Sequence, residues 1–467
     1  MTAVASPFGS SAGKYKFLGD AKLVNCFAEV RDDNGKAKYN VVPSDGSTLF
    51  SAVTDTPCRG TIYLDDLGTA RSVHSGRAYS VTSGGVGTGV GVVPGIDKVR
   101  IARNQNTTPQ IAYHCAVGIY IEQGGAILKL NDDDLPSGVV DICVADGYLI
   151  ALIEDGRFIW SDLNDMLSID GLDFATAEQS ADGGVACWWH GGMLFIFGRE
   201  TTEVFRNTGN TDSLWEPMPT VIPRGCGGRF TVAEVDNALT FLGNDGIYYR
   251  LNGLQPVRIS NHEVERLIQS ESDPSVIEAQ SWSRAGHAFV ELKGTNWSKV
   301  YDANTQQWHD RETYGETTWR HNNAFAAFGK VIYGDRLTGN LYYADNTVHT
   351  EASGVQIYKN RFPTLNVFPN GGIVDAIHMD FLTGQGVTST TAQGYDPILM
   401  VRVSKNGGNS WAFEREIKTG RRGAYGRLTL RRFGKVGPQG LVIELAMSDP
   451  VGRALAQVDA SVRPLKR

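Results

Sequence analysis

Five arginines crowd into the twelve residues RRGAYGRLTLRR at 421–432, and three aspartates stand in a row at 132–134. Arg421, Arg422, Arg427, Arg431 and Arg432 suit an acidic partner, since guanidinium forks bind carboxylates and phosphates bidentately. Read as a strand, Arg427, Thr429 and Arg431 alternate with Leu428, Leu430 and Arg432. Aromatic residues are not interleaved for base stacking, so the pattern favours a protein interface over nucleic acid. Asp132, Asp133 and Asp134 in NDDDLP read as a solvated turn before a proline; the spacing and central glycine of an EF-hand are missing. SGGVGTGVGVVPG at 83–95 has the glycine content of a phosphate loop. It lacks Lys-Ser or Lys-Thr and does not run into a helix, so a connection between strand units is expected. The nine histidines stand apart, without H-x-H or H-E-x-x-H spacing, and no metal site or cofactor is expected. No G-x-S-x-G elbow marks a serine nucleophile.

One further stretch raises an enzymatic reading. VRVSKNGGNSWAFEREI at 401–417 places Ser404, Asn406, Gly408 and Trp411 in near-agreement with S-x-D-x-G-x-x-W, the Asp-box of sialidases. Sialidase chemistry needs three arginines on a carboxylate, a tyrosine nucleophile paired with a glutamate, an acidic aspartate and several such boxes at blade corners. Here the box occurs once, with Asn406 for the aspartate, and VIPRG at 221–225 is only a reordered form of that family's Arg-Ile-Pro segment. A single box closes a hairpin locally. The expectation is a turn in which Ser404 tethers, Asn406 and the glycines bend the chain, and Trp411 packs beneath or starts the next strand. No catalytic residue is assigned.

The elements that must hold these groups are strands. The chain has 467 residues, 41% apolar and 20% charged, and no apolar run reaches the roughly 18–20 residues of a membrane helix. The N-terminus MTAVASPFGSSAGKYKF lacks the basic start and apolar middle of an export signal. Six cysteines, at 26, 58, 115, 143, 187 and 226, lie singly and mostly in apolar runs, as buried reduced thiols do. Glycine is abundant at 54 residues and long helix-forming stretches are missing. The one short helix expected is ISNHEVERLIQS, with Ser260 and Glu263 as a capping box and Val264, Leu267 and Ile268 on one face.

From about 55 to 350 a rhythm of apolar strand and Gly/Asn/Asp turn repeats, with units starting near 57, 97, 138, 182, 225, 278 and 319. A spacing of roughly 40–50 residues is that of a four-stranded propeller blade. After KNRFPTLNVFPNGG the strands lengthen, as in an antiparallel sandwich. The fold class is therefore all-β, a β-propeller over 55–352 with a C-terminal antiparallel β-sandwich-like module over 353–467. Residues 1–54 are expected to contribute strands to the propeller or to subunit contacts. Residues 402–467 hold 14 Lys and Arg against 5 Asp and Glu, leaving 30 against 46 for residues 1–401. Net charges of +9 and −16 make a dipolar molecule that invites contact with copies of itself or with a charged neighbour.

In order, LVNCFAE (23–29), GGMLFIFGRETTEVFRNTG (191–209), the run from RGCGGRF to NHEVERLI, KVYDANTQQWHDRE, GDRLTGNLYYAD and SKNGGNSWAFER through RRFG and SDPV resemble the packaged-DNA stabilisation proteins of short-tailed bacteriophages, the tail hub or nozzle family. Asn406 departs from that family's aspartate, and GSSAGKYKF is too degenerate to align. The resemblance implies a structural virion protein made in the host cytoplasm. It also implies a propeller usually of six blades, with copies in a hexameric ring below the portal and its adaptor. Such a ring continues the channel for double-stranded DNA without reading its sequence and meets fibres, spikes or needle. No catalytic residues come with it. The alternatives are a sialidase-like propeller glycosidase of a phage tail and a non-viral propeller scaffold for protein interactions.

Overall fold

A computed structural model describes residues 2–15, 19–31, 38–177, 182–210, 213–352, 354–366 and 370–465. Part of the KYKF stretch, residues 367–369 of the segment before the C-terminal module, and the last two basic residues lie outside the described residues.

Seven antiparallel blades of four strands follow one another, six as separate four-stranded sheets and one as the first four strands of a larger sheet. Their first strands are Cys58–Leu64, Arg100–Arg103, Val139–Ala145, Gly184–His190, Ala233–Val235, Glu278–Arg284 and His321–Ala327. Neighbouring blades pack along these strands, the fourth against the Arg229–Thr231 turn that leads into the fifth, and the seventh packs back on the first, so the ring is closed. The chain thus forms the seven units read from its rhythm, not the six implied by the resemblance. Tight turns set the rhythm: Asp146, Asp236, Asn237 and Gln306 all adopt positive φ at hairpin corners, where short polar side chains tolerate it.

The seventh blade is composite. Its three C-terminal strands, His321–Ala327, Lys330–Asp335 and Asn340–Asp345, are completed by Gly46–Ala52, which pairs antiparallel with Asn340–Asp345. SGGVGTGVGVVPG is not a connection between blades. Gly87–Val92 within it is the outer strand of the first blade, paired with Arg77–Thr82. The glycine at 91 answers to space, since a Cβ there would meet the Ile127 side chain at 2.8 Å.

The sixth blade does not end at its fourth strand. Gln307–Asp310 lies parallel to Asp20–Val24, and the sheet continues through Tyr358–Arg361, Val442–Met447, Ile398–Ser404 and Arg415–Lys418. A second sheet, Leu428–Val436, Gly372–Phe381, Leu455–Pro464, Tyr39–Pro43 and Cys26–Val30, faces it, with Thr2–Val4 paired to Leu455–Pro464. Leu23, Tyr358, Ile377, Met379, Leu399 and Leu445, all fully buried, fill the space between the sheets. Within residues 1–54, then, the strand nearest the propeller completes a blade and the earlier ones build the sandwich with C-terminal chain.

Asn25 marks the point where the chain leaves one sheet for the other. It adopts φ +53 between Asp20–Val24 and Cys26–Val30. Its Nδ2 donates to the carbonyls of Glu312 and Ile357, both at 2.9 Å, and its Oδ1 accepts from the Glu312 amide at 3.2 Å. One side chain therefore joins the N-terminal strands, the exit of blade six and the entry to the C-terminal module.

The helix, His262–Ser270, is capped by Asn261, whose side chain accepts from the amides of Glu263 and Val264. The Ser260–Glu263 box does not form. Ser260 Oγ donates to Glu265 Oε1 at 2.9 Å, and Glu263 accepts from Lys299 Nζ at 2.7 Å. Val264 and Ile268 are buried as the periodicity requires, with Leu267 beside them. All six cysteines are free thiols, and burial pushes the Cys58 thiol up to about 12.

Asn25→Ala should cost about 2–3 kcal/mol, because it strands buried backbone groups and places alanine in left-handed backbone. Urea unfolding of the variant against wild type measures it.

Candidate functional site: the arginine face and the propeller axis

The Asp-box-like turn closes Ile398–Ser404. Gly407 and Gly408 take φ +68 and +88, which lets the chain reverse. Ser404 Oγ accepts from the Gly408 amide at 2.9 Å and donates to Asn406 Oδ1 at 2.8 Å. Asn406 Oδ1 also accepts from the Ser410 amide at 2.9 Å, while its Nδ2 donates to Ser410 Oγ at 2.7 Å. The amide thus closes the turn from both ends.

Trp411 neither packs beneath the turn nor begins a strand. Its ring lies against two guanidinium groups, Arg402 at 4.8 Å and Arg361 at 5.2 Å from the centroid. Both arginines grip the buried Glu444 carboxylate, Arg402 Nε to Oε1 at 2.6 Å and Arg361 Nε to Oε2 at 2.7 Å. A carboxylate held on both oxygens is in no position to attack or protonate a sugar. The tryptophan covers a structural ion cluster through cation–π contact.

The five candidate arginines separate into three roles. Arg427 is engaged within the module, with Nε 2.8 Å from Asp380 and Nη2 2.6 Å from Asp459. Arg421 lies 4.9 Å over the Tyr395 ring and 3.6 Å from Asp396, which Lys418 already holds at 2.7 Å. Arg422, Arg431 and Arg432 are exposed and form no side-chain hydrogen bond or ion pair among the described residues. The alternation expected of this strand breaks at a bulge: the register shifts between the Ala376–Arg431 and Val374–Gly434 pairs, and Arg432 takes φ +68. Arg431 and Arg432 consequently both face outward, and Phe433 turns inward with Leu428 and Leu430.

Leu428–Val436 is the last strand of its sheet, and its outer carbonyls are covered by cations from the facing sheet. Arg415 donates to the carbonyls of Arg431 (2.8 Å) and Arg432 (3.2 Å), and Lys405 Nζ donates to those of Phe433 (2.6 Å) and Lys435 (2.9 Å). Edge strands blunted by basic side chains resist pairing with foreign strands. The face is therefore suited to side-chain contact rather than strand addition.

A second cluster, on the propeller axis, was not singled out in the sequence. Asp141, on the inner strand of blade three, is fully buried and accepts from Arg100 Nε (3.1 Å), Arg229 Nε (3.0 Å) and the Cys187 amide (3.2 Å). Its carboxyl would be raised by burial, but Arg100 and Arg229 reverse that and hold it below the ordinary range. Burial first, and then Arg229, push His114 down to about 4, so the neutral ring accepts Arg229 Nη2 at 2.6 Å. Phe230 stands among the cations, with Arg229, Lys98 and Arg100 at 4.7, 5.1 and 5.3 Å from its centroid, and Lys98 pairs with Glu278 at 2.7 Å.

The space left along the inner strands is about 270 Å³, lined by Gly60, Arg100, Trp188, Phe230, Gln280 and Asn323 among others. A space of that volume cannot hold a duplex, one helical turn of which is about 34 Å long. The Asp132–Asp134 turn is local as read: Asp132 Oδ1 accepts the Asp134 amide at 3.0 Å. Among the described residues no three His, Cys, Asp or Glu side chains converge for a metal.

Seven blades closed by an N-terminal strand, with a sandwich grown from the sixth, define a β-propeller protein with an appended β-sandwich. Residues 9–349 match the family model described as bacteriophage P22 Gp10, beta-propeller, and the chain belongs to that family. It is accordingly a phage structural protein, a component of the virion. Solved structures that it resembles include the computationally designed Ika8 protein, at 14% identity and TM-score 0.40 over 74% of this chain and 100% of that one. YCF48 bound to D1 peptide matches at 10% identity and TM-score 0.41 over 65% and 97%. The WD40 beta propeller domain of Doa1 matches at 13% and 0.40 over 64% and 97%. A comparison with curated proteins gave no match.

Asp141→Ala leaves two half-buried guanidinium groups without their carboxylate and should cost about 3 kcal/mol. A depressed folded-state pKa means this stabilisation is complete above the ordinary carboxylate range and is lost as acid titrates the folded form. The stability difference between wild type and variant should hold steady from about pH 7 to 5 and shrink below about pH 4 in denaturant titrations.

Proposed function

We propose that this virion protein is a tail hub or nozzle subunit. Copies form a ring below the portal and adaptor, extend the DNA channel, retain packaged DNA and give fibres, spikes or needle a place to attach. Membership of the P22 Gp10 family across residues 9–349 carries the reading. Two physical features support it. The propeller axis is too narrow for a duplex, so DNA would pass between copies rather than through one. The −16 charge of residues 1–401 suits a conduit wall that repels phosphates, because each cationic phosphate contact adds affinity and would hold the genome back. In this reading propeller side chains face the lumen and the arginine face meets an acidic protein neighbour.

Phage particles made without the protein should fill their heads and then lose DNA, with infectivity restored by supplying it in trans. Purified protein, alone or added to adaptor-bearing particles, should form rings in negative-stain micrographs. Complete tails and stable filled heads in its absence would overturn the proposal, as would a lumen lined by neutral or basic side chains for the acidic-wall part of it.

A further inference from the structure

Two exposed faces combine apolar side chains with unpaired charge, and their signs are opposite. The first is the outer strand of blade three, Asp165–Thr176, which pairs on one side only, with Arg157–Asp162. Its register breaks between the Ile159–Phe174 and Ser161–Ile169 pairs, so the chain from 170 to 173 bulges away from its neighbour. Leu163, Leu172 and Phe174 project from this hairpin, Leu172 with 84% of its surface exposed. Asp162, Asp170 and Asp173 surround them, and the Asp132–Asp134 turn lies beside Gly171, where a Cβ would come within 2.9 Å of Asp134 Oδ1. Asp133, Asp134, Asp162, Asp170 and Asp173 have no cationic partner among the described residues. Burial and the neighbouring Asp170 and Asp162 raise the Asp173 carboxyl, as expected of uncompensated negative charge.

The second face is the open side of the sandwich. Arg422, Arg431 and Arg432 are without intramolecular partners among the described residues, and two aromatic rings stand in solvent, Phe413 at 97% and Tyr425 at 75% exposure. The two faces lie at opposite ends of the molecule. Blade six runs on into the sandwich, and it is separated from blade three by blades four and five on one side and by blades two, one and seven on the other. Charged groups flanking an apolar centre are the composition of a specific protein contact, and opposite signs set its register. Complementary patches at opposite ends cannot satisfy each other within one chain. They satisfy each other head to tail between chains, a heterologous contact that closes into a ring when the rotation between copies allows.

We propose that the outer edge of blade three on one copy docks against the Arg422–Arg431–Arg432 face of the sandwich on the next. The proposal rests on the ring reading above and names the surface that makes the ring. The contact is made by side chains, consistent with the cations that cover the sandwich edge.

The test uses two variants of the full chain, R422E/R431E/R432E and D162K/D170K/D173K, neither of which alters a core residue. Sedimentation velocity and negative staining follow assembly, and thermal unfolding verifies that each variant is folded. Wild type should assemble, and each variant alone should associate weaker by on the order of 100-fold, because like charges then face each other. An equimolar mixture should recover assembly with the two variants alternating, since the glutamate sandwich of one variant meets the lysine blade of the other and the unaltered aspartate blade of the first meets the unaltered arginine sandwich of the second, and misfolding could not produce that recovery. If wild type forms rings and both variants do so equally well, the contact lies elsewhere and the ring reading stands. If the mixture stays monomeric, the pairing of these two faces is wrong. Loss of duplex-DNA binding by R422E/R431E/R432E with assembly intact would assign the arginines to nucleic acid and overturn the proposal. Wild type that forms no ring, alone or on adaptor-bearing particles, would overturn both readings.

Discussion

A ring of blades has a seam, and everything else in this molecule depends on how the seam is held. Gly46–Ala52 supplies the fourth strand of the last blade from chain that precedes the first blade, so backbone hydrogen bonds run across the join. The same N-terminal chain is threaded through the sandwich on both sides of Asn25. The propeller is in effect inserted between two portions of the sandwich, which roughly three hundred residues of blades separate in sequence. Sheet pairings between the chain ends carry a large loop-closure cost and are expected to form late. Asn25, touching all three segments, is placed to lock that final docking.

Paired charges serve this architecture. Asp141 with Arg100 and Arg229, Glu444 with Arg361 and Arg402, and Arg427 with Asp380 and Asp459 each join segments far apart in sequence. Such clusters are costly to break and offer little to a substrate, because their oxygens and guanidinium protons already have partners. What remains for interaction is charge that the fold leaves unpaired, including Arg422, Arg431 and Arg432 at the sandwich edge and Asp162, Asp170 and Asp173 along blade three among the described residues. A structural virion protein needs adhesive surfaces more than it needs reactive groups, and this distribution of charge meets that need.

The blades were legible because alternation of apolar residues and turn chemistry are local: the seven starts expected near 57 to 319 lie close to the first strands found at 58, 100, 139, 184, 233, 278 and 321. Longer-range pairing was less accessible. Nothing within residues 1–54 states that Asp20–Val24 will pair with Tyr358–Arg361. The glycines of 87–92 read as a connection because their composition is that of a loop, whereas the crowding of blade two against blade one demands small residues in a strand. The hairpin around Ser404 was visible in its spacing, but the position of Trp411 depended on two arginines from other strands. Likewise, alternation put Arg431 and Arg432 on opposite faces, and only the bulge brings them together. The axial cluster had a single local sign, a lone aspartate in the apolar run VVDICVA, with its arginines 41 and 88 residues away.

Lys405 and Arg415 bear on how the molecule behaves in a crowded cell. By donating to carbonyls of the terminal strand they close a sheet edge with groups that keep their full charge, since a carbonyl neutralises nothing. The edge becomes inert toward backbones and, by the same atoms, electropositive. Solubility and adhesiveness at this face are thus one property: the cations that block strand addition at this edge are the ones that attract an acidic surface.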